Sequence, residues 1–157
     1  MRLSPNRPNI IVLLADALRA DRLNCCGYRR RTTSPRLDEL AGSGVLFENA
    51  IASAPWTLPS HASLFTGMLP SEHGATDETL WLPDEHQTLA EALTAAGYLT
   101  LAFSPHNGWL SESTNVMKGF GVQLGPKDAP EVAAGFGRGG RETCLGPEGT
   151  EIVRFTE

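Results

Sequence analysis

One uninterrupted aliphatic run near the start of the chain narrows the folds open to it. Residues 9–15 read NIIVLLA, with Pro8 before them and Asp16 directly after them. A short run that is apolar on both faces and contains β-branched residues is typical of a strand buried in a parallel sheet. The run is too short to cross a bilayer, and Asp16 interrupts it before it can form the core of a secretory signal. We therefore predict a first central strand here.

Two later segments carry helix signals. Ser34 followed by Pro35, an apolar stripe and Gly44 predicts a short helix that has an N-cap and a glycine stop. Asp84 with Gln87 resembles a capping box before a second helical pattern, which Gly97 ends.

Two further segments are strand-like, residues 45–52 (VLFENAIA) and residues 98–103 (YLTLAF). Strands that alternate with helices favour an α/β sheet with crossover connections. From Gly125 onward glycine and proline are frequent, so we predict one domain over residues 7–124 and a divergent tail over residues 125–157.

The net charge limits the kinds of molecule that this protein can bind, and the cysteines bear on its redox state and location. The net charge is −5. Residues 1–60 contain eight basic and five acidic residues, whereas the rest of the chain contains five basic and thirteen acidic ones. This balance argues against a dedicated nucleic-acid binder and fits a small anionic substrate better. We expect neither a nucleic-acid nor a membrane partner. The three cysteines, two of them adjacent, do not form an ordinary disulfide framework, and we expect reduced thiols and a cytoplasmic protein.

Asp16 is the first candidate for chemistry. Ligands of open α/β sheets collect beyond the carboxyl ends of the strands, where a carboxylate is well placed to hold a metal. Taken alone, Asp16 is at least as well explained as the cap of the next turn.

Thr57 is the second candidate. It precedes Pro59, which can start a helix that Gly67 terminates. A helix N-terminus favours anions, so a hydroxyl there can face a phosphate or sulfate group. A threonine hydroxyl is a poor nucleophile unless a metal or a base activates it, and a capping or turn role is the simpler interpretation of Thr57 alone.

Three segments together resemble the N-terminal half of the sulfatase family, a branch of the alkaline-phosphatase-like superfamily. They are residues 7–16 (RPNIIVLLAD), residues 33–41 (TSPRLDELA) and residues 57–67 (TLPSHASLFTG). His73-Gly74 and Gly97-Tyr98 continue the pattern in the expected order. The resemblance implies an α/β fold with a mostly parallel central sheet flanked by helices, incomplete toward the C-terminus.

The resemblance also implies a metal-dependent hydrolase of sulfate, phosphate or phosphonate esters. Asp16 matches the first metal ligand of the family, and Thr57 matches the nucleophile, which itself binds the metal. The cation is Ca²⁺ or Mg²⁺ in a sulfatase-like enzyme and Mn²⁺ or Zn²⁺ in a phosphodiesterase-like one.

The chain departs from the sulfatase pattern at three positions. Sulfatases carry a Cys or Ser that becomes formylglycine where this chain has Thr57, which cannot undergo that conversion. An unmodified threonine resembles the phosphodiesterase-like branch instead. Ala17 replaces a frequent second aspartate, and His61 stands where sulfatases usually have an arginine that supports the nucleophile.

The remaining histidines divide into two groups. His106 and Asn107 follow the strand at residues 98–103, near the substrate-contacting positions of sulfatases, so we assign them to the substrate pocket. His73 and His86 are expected to serve turns or caps.

One family feature has no counterpart in this sequence. The second aspartate-rich metal motif of sulfatases is absent after Gly125, so the sequence resembles a truncated half-enzyme. The alternative to a hydrolase is therefore a catalytically inactive fragment that lacks the C-terminal metal ligands.

Overall fold

The computed structural model describes residues 7–104, 108–124, 143–145 and 151–153. The chain divides into two units, Met1–Ile51 and Ala52–Glu157. Among the residues described, no helix is long and apolar enough to cross a lipid bilayer.

The predicted first strand is not formed. Residues 9–15 have no regular secondary structure, and Ile11 and Leu13 are 82% and 88% exposed. A strand requires a neighbour to pair with its backbone N–H and C=O groups, and the described part of the first unit contains no strand. The apolar composition of residues 9–15 was therefore not enough to form a strand.

The helix predicted after Ser34 is confirmed as α1, Pro35–Ser43. Gly44 ends it, and its N–H donates to the Leu40 carbonyl at 2.9 Å. The Ser34 hydroxyl does not cap the helix backbone but donates to Asp38 Oδ1 at 2.9 Å. The strand predicted at residues 45–52 is wrong, because those residues form turns and exposed coil for lack of a pairing partner.

The second unit begins with a helical hairpin. Helix α2 is Thr57–Thr66, and Gly67 ends it with a left-handed φ of 72°. This glycine stop is the predicted one. Helix α3 is the short segment Pro70–His73.

Helix α4, Leu89–Ala95, begins four residues later than the predicted capping box implies. Its N-cap is Thr88, whose hydroxyl accepts from the Glu91 N–H at 3.2 Å, while Glu91 Oε2 accepts from the Thr88 N–H at 2.8 Å. Thr88 and Glu91 thus form the reciprocal capping box that the prediction assigned to Asp84 and Gln87.

Within the described ranges, four strands pair in two small sheets. Strand β1, Leu101–Phe103, forms the second half of the predicted strand and pairs in parallel with β2, Val122–Leu124. Strands β3, Thr143–Leu145, and β4, Glu151–Val153, are antiparallel. The helices and the parallel pair confirm the predicted α/β fold class, incomplete as the sequence predicted. The predicted boundary at residue 124 stays a prediction.

The described hydrophobic core lies in the second unit. Leu58 and Ala62 of α2 are fully buried against Leu82 and Val116. Phe65 meets Phe120 edge to face, with ring centroids 5.8 Å apart. Helix α2 is therefore anchored by its apolar face, and this packing fixes the position of its first turn.

Candidate active site

Thr57 is the first residue of α2 rather than the residue before it. It is half-buried, and its neighbour Trp56 is the N-cap, with no side-chain cap hydrogen bond. The first intrahelical N–H donor is that of Ser60, which bonds to the Trp56 carbonyl. The N–H groups of the first turn and the helix dipole together favour an anion at this end.

His61 lies one turn after Thr57 on the same helix. Its ring is buried, at 7% exposure, and its Nδ1 lies 2.8 Å from the Thr57 carbonyl oxygen. Because a carbonyl only accepts, Nδ1 carries the proton and donates, which leaves Nε2 as the acceptor of the neutral ring. The His61 ring is thus fixed by its hydrogen bond to the Thr57 carbonyl and by an edge contact with Phe65.

His73 is a structural partner of α2 that the sequence prediction described only as a turn or cap residue. It is fully buried, and its Nδ1 accepts from the Ala75 N–H at 3.0 Å. Its Nε2 therefore carries the proton in the neutral ring and donates to Ser63 Oγ at 3.0 Å. A ring in this tautomer cannot take a proton from Ser63, so Ser63 and His73 are not a nucleophile and its base. Burial lowers the pKa of His73.

Asp16 belongs to the first unit and is exposed. Its Oδ1 accepts from the Ala17 N–H at 2.9 Å, and Ala17 has a left-handed φ of 59°. A non-glycine residue in this region is strained, so the turn after Asp16 is an unusual one.

The residues described do not fit a complete divalent-cation site. A hard divalent cation takes about six oxygen ligands. Within the described ranges no group of three or more His, Cys, Asp or Glu side chains is arranged to hold a metal. Thr57 lies in the second unit and Asp16 in the first. The predicted substrate residues His106 and Asn107 lie outside the described residues.

Comparisons with known proteins agree on one family. The sulfatase family model matches residues 8–136. Human arylsulfatase A is 40% identical over 99 residues, which cover 59% of this chain and 19% of that protein. An ulvan-active sulfatase of Formosa agariphila is 40% identical over 96 residues, which cover 61% of this chain and 19% of that protein. Human N-acetylgalactosamine-6-sulfatase is 36% identical over 110 residues, which cover 62% of this chain and 21% of that protein.

The chain spans about a fifth of the length of these curated relatives. No solved structure matches it significantly. The family match nevertheless runs from the residue before the aliphatic run to beyond β2, which is most of the chain. The chain therefore belongs to the sulfatase family.

Proposed function

We propose that this chain carries the nucleophile segment of a sulfatase-like hydrolase that cleaves sulfate, phosphate or phosphonate esters. The observation that carries the proposal is the place of Thr57 as the first residue of α2, where the helix dipole favours an anionic ester. The names of the relatives indicate sulfate esters for those proteins. The unmodified threonine favours a phosphorus ester for this one.

Thr57 is proposed to attack in line. The O–H bond of Thr57 breaks and a bond forms from Oγ1 to the phosphorus or sulfur atom, while the bond from that atom to the ester oxygen breaks. The ester oxygen leaves with the electron pair and takes up one proton, so that an alcohol departs and the hydroxyl proton is accounted for. Water then cleaves the threonyl ester. His61 supports the reacting group, and its Nε2 is the acceptor that the bond from Nδ1 to the Thr57 carbonyl leaves open.

Asp16 is proposed as one ligand of the divalent cation that the family uses, with Thr57 as a second. Two oxygens do not complete such a site, so further ligands are required from outside the described residues. No step above is derived through the cation. His106 and Asn107 are proposed to position substrate oxygens, by resemblance.

Turnover of aryl phosphodiesters and aryl sulfates tests the proposal, with Mg²⁺, Ca²⁺, Mn²⁺ or Zn²⁺ added in separate assays. Thr57→Ala is expected to lower kcat/KM by at least about 100-fold, because it removes the attacking oxygen. Thr57→Ser retains a hydroxyl and is expected to keep measurable turnover.

Thr66→Ala is the matched control. Thr66 ends the same helix, and its hydroxyl donates to the Ala62 carbonyl at 2.7 Å, far along α2 from Thr57. Its turnover is expected to equal that of the parent. Equal turnover in the parent and Thr57→Ala would remove Thr57 from the reaction.

A second candidate is a catalytically inactive chain that associates with another polypeptide. Two observations favour it: the described residues contain no cluster of three or more His, Cys, Asp or Glu side chains arranged to hold a metal, and large apolar side chains such as Leu13 and Ile51 are exposed. Calorimetric titration with the four cations separates the two candidates. Absence of both metal uptake and turnover supports the inactive chain, whereas metal uptake with turnover excludes it.

A further inference from the structure

Two adjacent thiols in the first unit take no part in the proposed reaction. Cys25 is half-buried and Cys26 is exposed, and both are free cysteines. Their Sγ atoms lie 4.0 Å apart, on the same side of the turn that carries them. Adjacent side chains that point apart would not bring their sulfurs so close. The two thiols therefore form one local donor pair.

The side chain of Asn24 ties this turn together. Its Nδ2 donates to the carbonyls of Tyr28 and Arg31, at 2.7 and 2.9 Å. Its Oδ1 accepts from the Thr33 N–H at 2.8 Å. The side chain of Asn24, the residue before the cysteine pair, thus binds backbone groups of three residues after the pair. These hydrogen bonds fix the backbone that carries the two cysteines.

A second tie joins the pair to α1. The Cys25 N–H donates to Asp38 Oδ1 at 2.8 Å, and that oxygen also accepts from Ser34 Oγ. Partial burial, followed by hydrogen bonds to Asp38 and Cys26, raises the pKa of the Cys25 thiol. A raised pKa argues against a lone thiolate nucleophile, since reactive cysteines have lowered values.

The separation of the sulfurs suits chelation. A tetrahedral ion with metal–sulfur bonds of about 2.3 Å holds two thiolates about 3.8 Å apart, close to the distance found here. Cysteine sulfur is a soft ligand that selects soft ions. We propose that Cys25 and Cys26 together bind one soft, thiophilic metal or metalloid ion. This site is independent of the proposed hydrolase activity.

Phenylarsine oxide is a suitable probe because its trivalent arsenic takes two thiols at once. Two S–H bonds and the arsenic–oxygen bond break, two S–As bonds form, and the oxygen leaves as water with both thiol protons. No atom is oxidised or reduced. The full chain is titrated under native conditions, and the bound adduct is counted by non-denaturing mass spectrometry.

The parent and Cys144→Ser, which removes the third cysteine, are expected to bind one equivalent with equal affinity. Cys25→Ser and Cys26→Ser are each expected to bind at least about 100-fold more weakly, because chelation by the second sulfur is lost. Tight binding by either single variant, or weak binding by the parent, overturns the proposal.

A second measurement needs no variant. The native parent is loaded with the arsenical and then alkylated, and the modified cysteines are mapped by peptide mass spectrometry. Protection of both Cys25 and Cys26, compared with the protein that has not been loaded, supports the site. Alkylation of Cys25 or Cys26 in the loaded protein contradicts it.

Discussion

At the scale of single residues, one buried imidazole joins two helices. His73 of α3 donates to Ser63 of α2 and accepts from the N–H of Ala75. Protonation of Nδ1 would set its N–H against the N–H of Ala75 and place a charge in a buried site. The folded protein therefore holds His73 neutral, and burial lowers its pKa; His86 acts in the same direction and Glu72 in the opposite one.

This pKa shift predicts a loss of stability in mild acid. The unfolded chain binds the proton with the ordinary histidine pKa of about 6.5. Below that pH the unfolded state holds more protons than the folded state, so the free energy of unfolding falls, by at most about 1.4 kcal/mol per pH unit for one group. Urea unfolding midpoints measured from pH 7.5 to 5.5, about one unit either side of that pKa, test this prediction. The midpoint is expected to fall as the pH is lowered.

His73→Gln removes the titrating ring and is expected to flatten this dependence, although its stability at neutral pH is lower. His86→Gln, at a half-buried position, is the control and keeps most of the slope. An unchanged slope in His73→Gln would show that another group is responsible.

At the scale of elements, the packing of α4 requires a glycine opposite its first turn. Gly119 has a left-handed φ of 87°, and its carbonyl accepts from the hydroxyls of Thr94 and Thr100. A Cβ built at Gly119 would lie 2.6 Å from the Glu91 backbone nitrogen. Backbone of α4 therefore occupies the space that any side chain would need.

Gly119→Ala is expected to lower the free energy of unfolding by about 2–4 kcal/mol, from the steric overlap and the left-handed backbone together. Gly108→Ala is the matched control, because Gly108 has open space around its Cβ direction and no positive φ. It is expected to change stability by less than about 0.5 kcal/mol. Urea unfolding followed by circular dichroism measures both, and similar values for the two variants would contradict the packing.

At the scale of the whole molecule, apolar residues are divided unequally between the units. The described core of the second unit includes Leu82, which is 0% exposed, whereas Leu13 of the first unit is 88% exposed. Apolar burial is the main favourable contribution to folding. Stability of the described structure thus resides chiefly in the second unit.

A pair of identical substitutions tests this division. Leu82→Ala is expected to cost about 2–5 kcal/mol, because it removes a buried side chain and leaves a cavity. Leu13→Ala removes an exposed side chain and is expected to stay within about 0.5 kcal/mol of the parent. Differential scanning calorimetry gives both values, and a large loss in Leu13→Ala would mean that this side chain is buried.

Local signals predicted the helices well and the strands poorly. The ends of α1 and α2 followed from proline near the start and glycine after the end, since these act through the residue's own backbone. The capping box of α4 was misplaced, because residues 84–87 and residues 88–91 both match the capping-box pattern and follow each other directly in the chain. The family resemblance over residues 7–124 was confirmed, whereas the roles of Asp16, Thr57 and His61 stay predictions.

The sequence by itself determined the family and the helix ends set by Gly44 and Gly67, because each depends on contiguous residues. Only the tertiary structure decided whether residues 9–15 pair as a strand, that the ring of His73 is buried against Ser63, and that Gly119 faces α4. Those outcomes depend on residues distant in the chain, since backbone pairing and burial require a neighbour that no local pattern supplies.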